Sequence, residues 1–330
     1  MKAIIPVAGV GTRLRPHTYT QPKPLIPVAG KPIIASIVDQ LVDCGIGSFV
    51  FVIGYLGDKI RDYIEQNYSH FDISFVYQDE RLGLGHAIWL SREHFSEGEE
   101  VLIVLGDTIF DGDLKPMMDQ KGSILGVKKV EDPRQFGVVV VSEQGFITQV
   151  IEKPKIPKSN LALVGIYKIE DTGLLRQGLE HIIQEEIKTR NEFQLSDALM
   201  YMIHAGHKMC TYTIDNWFDC GKKEILLETN AMLLKRKPQS NLKEQFKNTI
   251  IIPPVSIGKH CQISDCIIGP HVSVGDHSEL RYTIVKDSII GNFAHIEEAV
   301  LHRSIIGNDA AIKGLSQSLN IGDNTEIDFG

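Results

Sequence analysis

Up to about residue 235 the chain alternates short apolar runs with stretches whose apolar residues share one helical face. Residues 3–7, 49–53, 73–77 and 101–105 are short, β-branched or aromatic, and bounded by Gly or Asp. Such runs read as buried parallel strands. Between them, Ile33, Ile34, Ile37, Val38, Leu41 and Val42 form one helical face, which Gly45 terminates. Ile60, Tyr63 and Ile64 form a second, and Ala87, Ile88, Leu90 and Ser91 lie on a third helix. Strand–helix–strand order of this kind predicts a doubly wound α/β sheet. Residues 136–141, 147–151 and 162–169 follow without long helices between them. They predict an antiparallel addition, making the sheet mixed and leaving room for a second substrate.

From about residue 250 the beat changes. Ile257, Ile263, Ile268, Val274, Leu280, Val285, Ile290, Ile296, Leu301, Ile306 and Ile312 recur every five or six residues. Ile257, Val274, Ile290, Ile306 and Ile321 each precede a glycine, giving a larger unit of 15 to 17 residues. Neither a strand, with period 2, nor a helix, with period 3.6, produces this spacing. A solenoid of short strands with one inward residue per face does, so the tail is expected to be a short left-handed parallel β-helix. The polar stretch from Lys235 through Pro238 to Asn241 reads as a linker. The expected division is 1–235, a linker at 236–249, and 250–330.

Composition narrows the function classes. At 330 residues two domains are expected, and 43% hydrophobic with 23% charged residues describes an ordinary globular protein. A net charge of -8 argues against a protein that coats nucleic acid, while leaving room for a local cluster of cations around phosphates. The N-terminal apolar run is interrupted by Pro6 and Gly9, too early for a signal peptide, and no run reaches membrane-spanning length. Cys44, Cys210, Cys220, Cys261 and Cys266 are scattered without C-x-x-C spacing, as expected of reduced thiols in the cytoplasm.

The first strand runs into Ala8, Gly9, Val10, Gly11, Thr12 and Arg13. Glycines at a strand's end let backbone N–H groups approach an anion, which makes this loop a candidate phosphate cradle. It lacks both the third glycine of a dinucleotide fingerprint and the Gly-Lys-Ser/Thr of a P-loop. The prolines of Pro22-Lys23-Pro24 stiffen the return segment and can hold Lys23 opposite the loop. Asp107 stands just past the carboxyl end of a buried strand, where open α/β sheets bind ligands.

This string of motifs resembles the signature of sugar-phosphate nucleotidylyltransferases, the family of glucose-1-phosphate thymidylyltransferase and its uridylyl and guanylyl relatives. Ala8 replaces the first glycine of a Gly-Gly-x-Gly loop, a small change where backbone amides make the contacts. The resemblance implies a nucleotide-diphospho-sugar transferase fold and a reaction between a nucleoside triphosphate and a sugar 1-phosphate. Its default substrates are dTTP, then UTP, with glucose 1-phosphate. It implies that Arg13 and Lys23 bind the triphosphate, and that Gln78 and Gly83 in Gln78-Asp79-Glu80-Arg81-Leu82-Gly83 meet the base. Asp107 and Asp219, the latter in Trp217-Phe218-Asp219-Cys220-Gly221, are the implied Mg²⁺ ligands. Two carboxylates plus phosphate oxygens suffice for that ion. Glu152 and Lys153 are the implied sugar site, with Glu152 on the hydroxyls and Lys153 on the sugar phosphate. Gly137 and Gly165 match positions where backbone approaches the hexose, unless they mark β-bulges. Ser196 and Asp197 either cap a helix or reach the sugar.

Three rival readings compete with this one. Hexapeptide helices can carry acyltransferase activity, alone or as half of a bifunctional enzyme, and His260, His271, His277, His295 and His302 lie in the repeat. They sit among turn residues, which favours surface histidines. An inactive regulatory homologue would have lost Arg13, Lys23, Asp107 or Asp219, and all four are present. A nicotinamide dehydrogenase would need an acidic ribose ligand downstream of the loop, and none follows at that distance. The remaining expectation is a homo-oligomer without nucleic-acid or membrane partners, with the repeat region mediating subunit contacts.

Overall fold

The computed structural model describes residues 1–236 and 246–314, which fall into two compact units, Met1–Thr229 and Asn230–Gly330. Residues 237–245 of the expected linker, and 315–330 of the expected repeat, Ile321 among them, lie outside the described residues.

In the first unit a mixed sheet runs, along its main path, through Ile147–Glu152, Gly137–Val141, Leu161–Ile169, Val101–Val104, Lys2–Pro6, Ser48–Ile53 and Asp72–Tyr77 in that spatial order. Its parallel half is β1 (Lys2–Pro6), β2 (Ser48–Ile53), β3 (Asp72–Tyr77) and β4 (Val101–Val104). The helices between them are α1 (Ile33–Asp43), α2 (Gly57–Tyr68) and α3 (Leu84–Leu90). Ile4, Val50, Val52, Val101 and Ile103 enter one core cluster, while their neighbours Ala3, Ile5, Phe49, Phe51 and Leu102 are equally sealed. Burial on both faces explains why β1, β2 and β4 read as continuous apolar runs without alternation, whereas β3, last in the sheet, is only partly buried, contrary to the expectation for 73–77.

β5 (Thr108–Asp111) and β6 (Ser123–Lys129) follow, then β7 (Gly137–Val141), β8 (Ile147–Glu152) and β9 (Leu161–Ile169). β9 runs antiparallel to β4, β6 and β7, so the expected antiparallel addition joins the parallel half directly. Helices α4 (Thr172–Gln184) and α5 (Leu195–His204) bury Leu175, Leu179, Ile182, Leu195, Leu199 and Met202 in the same cluster. β10 (Met209–Thr213) extends the sheet beside β6, and β11 (Asn216–Asp219) pairs with β5 in a separate two-stranded ribbon. That ribbon was not legible in the apolar pattern. Helix α6 (Lys223–Arg236) ends this part of the chain.

In the second unit, three parallel sheets of four short strands each wind a β-helix, consistent with the expected left-handed form. Gln262 pairs with Glu279, Glu279 with His295 and His295 with Ala311, so each coil takes 17 or 16 residues. Ile263, Ile268, Val274, Leu280, Val285, Ile290 and Ile296 fill the core, with Ile257, Leu301, Ile306 and Ile312 packed against it. The five-or-six-residue beat is thus one inward side chain per sheet per coil. A Cβ on Gly258, Gly275 or Gly291 would come within 2.4–2.6 Å of the next coil, which accounts for the apolar-Gly steps. The residue after each of these glycines closes the gap: Asn292 Oδ1 accepts from Asp276 N–H at 2.9 Å and Asn308 Oδ1 from Asn292 N–H at 2.8 Å.

The repeat's histidines decorate its outside. His271 pairs with Asp287 at 2.8 Å, His295 with Glu279 at 3.2 Å, and His302 with Asp287 at 3.4 Å. The His260 and His277 rings stack at 4.9 Å. Among the described residues no helix is long and apolar enough to cross a membrane.

Candidate active site

The loop after β1 turns at Gly11, whose φ of 66° is left-handed and therefore suits glycine. A Cβ there would sit 3.0 Å from Cβ of Lys23 and 3.1 Å from Cγ2 of Thr18, so the loop lies directly on the lysine's stem. The Thr18 hydroxyl donates to the Gly11 carbonyl at 2.9 Å and holds the turn. Among the described residues the backbone N–H groups of Gly9, Val10, Gly11, Thr12 and Arg13 donate to nothing, and a Cβ on Gly9 would meet only open space. A run of bare amides around an open glycine can serve as an anion cradle.

Lys23 follows Pro22 and precedes Pro24 in a tight turn, and its side chain is 8% exposed. Its ammonium donates to Asp107 Oδ2 at 2.6 Å and lies 3.5 Å from Asp219 Oδ1. Arg13 reaches Asp219 Oδ2 at 3.8 Å while remaining 59% exposed. The β5–β11 ribbon brings the two carboxylates together: Thr108 pairs with Asp219, and Cys220 N–H donates to the Asp107 carbonyl at 3.0 Å. A Cβ on Gly221 would lie 2.6 Å from the Arg13 guanidinium, so glycine there clears its path. Burial pushes the Asp107 carboxyl upward, but the Lys23 ammonium bonded to it outweighs that, helped by the Thr108 hydroxyl and Arg13. The net effect holds it below the usual carboxylate range.

The residues present fit a divalent cation. Asp219 Oδ1 is buried and takes no hydrogen bond, although Lys23 stands 3.5 Å away. Two hard carboxylates converge there beside the amide-lined loop, a donor set typical of Mg²⁺ that shares its ligands with a phosphate. Among the described residues no group of three or more His, Cys, Asp or Glu side chains could hold a metal, so remaining ligands must come from elsewhere.

Val10, Gly11 and Thr12 line a cleft of about 670 Å³ together with Asp79, Glu80, Arg81, Leu82 and Glu192. The phosphate loop and the expected base-recognition segment therefore share one cavity. Gln78, 6% exposed, ends β3 with its side-chain amide against the Gly83 carbonyl at 3.1 Å. Gly83 has a φ of 110°, and a Cβ on it would strike the Phe193 carbonyl at 2.5 Å. The space it leaves is filled by the chain at 192–193 rather than by room for a base ring. Glu192, which no sequence signal singled out, joins the cleft because Phe193 N–H donates to the Leu82 carbonyl at 2.7 Å.

Gly137 pairs with Glu152 across β7 and β8, and its missing Cβ would lie 3.1 Å from Glu152 Oε2. Lys153, at a φ of 40°, holds its ammonium 3.2 Å from Glu152 Oε1. Gly165 lies where the β9–β6 register shifts between Leu163 and Tyr167, and a Cβ there would clash with Leu105 at 2.8 Å. The bulge alternative is therefore sufficient for this residue. Ser196 and Asp197 are not caps: the N-cap of α5 is Gln194, without a side-chain cap bond. Instead Ser196 Oγ and Asp197 Oδ2 are buried without partners. Burial first, then the nearby Glu152 carboxylate, push the Asp197 carboxyl up against the lowering effect of the Thr189 hydroxyl. Thr189 and Arg190 escaped the sequence reading. Thr189 donates to Asp197 at 3.2 Å, and the Arg190 guanidinium donates to the Lys153 carbonyl at 2.8 Å.

Comparison with known proteins gives the chain a family. The family model described as nucleotidyl transferase matches residues 2–236. The bifunctional protein GlmU of Methanocaldococcus jannaschii is 36% identical over 256 residues, which is 76% of this chain but only 59% of that protein. The UTP–glucose-1-phosphate uridylyltransferase AglF of Haloferax volcanii is 34% identical over 248 residues, covering 73% of this chain and 99% of AglF. A crystal structure from Bacillus anthracis, assigned to a glucose-1-phosphate thymidylyltransferase, superposes with a TM-score of 0.62 at 27% identity. It covers 73% of this chain and 98% of that one.

Proposed function

Because the chain belongs to the nucleotidyl transferase family, we propose that it transfers a nucleoside monophosphate from a nucleoside triphosphate to a sugar 1-phosphate. The observation that carries this reading is the Lys23 ammonium, buried between Asp107 and Asp219 beside five bare amides. A phosphate oxygen of the sugar 1-phosphate attacks the α-phosphorus in line. The new P–O bond forms as the bond to the β-phosphate oxygen breaks, and pyrophosphate leaves. The attacking oxygen is already ionised, so no general base is needed. Rate then comes from positioning and charge neutralisation.

The roles follow from chemistry. The amides of residues 9–13 hold the triphosphate, with Ala8 closing the loop, and the exposed Arg13 guanidinium clamps the departing pyrophosphate. Lys23 neutralises charge at the α-phosphate. Asp107 and Asp219 would hold Mg²⁺, which supplies electrostatic stabilisation of the phosphate oxygens when bound. Glu152 accepts from sugar hydroxyls and Lys153 faces the sugar phosphate, with Gly137 giving backbone access and Gly165 shaping the neighbouring strand. Gln78 meets the base, and Gly83 takes part through its carbonyl, which holds the Gln78 amide. The names of the relatives support UTP and dTTP as donors and glucose 1-phosphate as the first acceptor to test. In this reading residues 1–235 carry the chemistry in the cytoplasm, 236–249 connect, and 250–330 serve self-association. Ile250, Ile284 and Val300 support that last role, being aligned in register on one sheet yet 59%, 44% and 76% exposed.

The test is pyrophosphate release by the purified protein with Mg²⁺, across five nucleoside triphosphates and several sugar 1-phosphates. Release with at least one pair, abolished in Asp107→Asn while the protein stays folded, is the expected result. Silence across the whole matrix refutes the proposal.

A further inference from the structure

His86 has no part in the reaction as described, yet it touches the residue assigned to the base. Its Nδ1 lies 3.1 Å from Nε2 of Gln78, and the same Nε2 is 3.1 Å from the Gly83 carbonyl oxygen. A carbonyl oxygen can only accept, so the Gln78 atom facing Gly83 must be the NH₂ group. With that amide fixed, His86 Nδ1 must also accept, which makes the ring neutral and protonated on Nε2. Both Gln78 amide hydrogens are then engaged. Its carbonyl oxygen takes no hydrogen bond among the described residues and is not sealed from solvent.

The imidazole is itself braced. It stacks on Trp89 at 5.8 Å and lies 6.4 Å from the Phe193 ring, inside a layer that includes the Gly85 N–H to Phe193 carbonyl bond of 2.8 Å. Turning the Gln78 amide over would set its oxygen against the Gly83 carbonyl and the His86 lone pair together. Two acceptors at the start of α3, the Gly83 carbonyl and the ring three residues on, therefore hold one orientation.

Resting on the proposed reaction, we propose that His86 is a positioning residue that presents the Gln78 carbonyl oxygen to the base and so selects pyrimidines bearing a hydrogen on N3. Uracil and thymine carry that hydrogen and donate it. Cytosine has a bare lone pair on N3 and meets the Gln78 oxygen as acceptor against acceptor. His86 thus favours UTP and dTTP over CTP without touching any of them.

The test measures equilibrium binding of UTP, dTTP and CTP by titration calorimetry on wild type, His86→Leu and His86→Asn, beside pyrophosphate release by the wild type. Leucine removes the acceptor, whereas asparagine can offer Oδ1 near the place of Nδ1. Loss of one neutral hydrogen bond that orients a binding group should shrink the UTP-to-CTP affinity ratio by roughly three- to tenfold in His86→Leu. His86→Asn should restore the ratio, with thermal unfolding confirming that both variants fold. A ratio unchanged in His86→Leu, or a uniform loss for all three nucleotides in both variants, overturns the proposal. A His86-dependent binding preference without pyrophosphate release from any substrate pair would sink the proposed reaction and leave this assignment standing. Turnover with a ratio indifferent to position 86 would do the reverse.

Discussion

Replacing Lys23 with methionine removes a charge while keeping the length and apolar stem that pack beneath Gly11. The native ammonium is 8% exposed and bonded at 2.6 Å to Asp107, with Asp219 at 3.5 Å. Deleting one partner of a fully buried ion pair costs about 3–5 kcal/mol. Here the two carboxylates are 36% and 35% exposed, so water takes up part of the loss. The expected destabilisation without metal is about 1–2 kcal/mol, or roughly 2–8 °C in the unfolding midpoint. The two carboxylates then keep only the exposed Arg13 guanidinium, 3.8 Å from Asp219, as counter-charge, so the variant should bind a divalent cation without nucleotide better than the wild type does. At ten times its dissociation constant Mg²⁺ would return about 1.4 kcal/mol. Turnover should nevertheless fall about 10²–10³-fold, because the cation replaces the charge without replacing its position. Calorimetric scans with and without millimolar Mg²⁺, beside pyrophosphate release, decide the matter. Equal Mg²⁺ stabilisation of both proteins, or near-native turnover in the variant, would refute the view that Lys23 occupies a cation position between the two aspartates.

Other expectations test separate parts of the molecule. Gly11→Ala places a Cβ at a φ of 66° and 3.0 Å from the Lys23 stem, so it should cost about 1–2 kcal/mol and raise KM for the nucleotide. Calorimetry and steady-state kinetics would detect both, and an unchanged KM would argue against the loop as cradle. Burial, with the Asp107 and Asp219 carboxylates nearby, pushes the Cys220 thiol up to about 12 despite the lowering effects of Thr229 and Lys23. It should resist iodoacetamide at pH 8 in the native protein and react on unfolding. Rapid native labelling at Cys220, read by mass spectrometry, would contradict this. Leu280, fully buried in the β-helix, should cost about 2–5 kcal/mol when cut to alanine, and chemical denaturation with a probe in the repeat would measure it.

The apolar rhythm carried most of the fold because burial leaves different periods on different architectures. Double-sided burial wrote the uninterrupted runs of β1, β2 and β4, and the coil length of the β-helix wrote the spacing from Ile257 to Ile312. What escaped was structure held by backbone pairing without a long apolar period. The β5–β11 ribbon spans four residues on each side and joins segments more than a hundred positions apart, and Asn216 is exposed at its end. No local pattern announces such a pairing, since its register is set by contacts distant in sequence.

The site divides along the same line. Residues whose role rests on local backbone shape were legible: Gly11 in its left-handed turn, Lys23 between two prolines, Asp107 at a strand end. Residues that matter through a neighbour brought in by the fold were harder to read. Gly83 is packed against Phe193, whose carbonyl a Cβ there would strike. Glu192 reaches the cleft beside residues 10–12 on that same crossing stretch of chain. Asp197 resembled a helix cap by its place in sequence, but the buried, unpartnered oxygen and the Glu152 carboxylate beside it give it a different environment. A polar atom left bare in a buried position costs stability and is retained where something else completes it. On that principle the proposed sugar site extends from Glu152 and Lys153 to Ser196 and Asp197, where a ligand's hydroxyls would supply the missing hydrogen bonds.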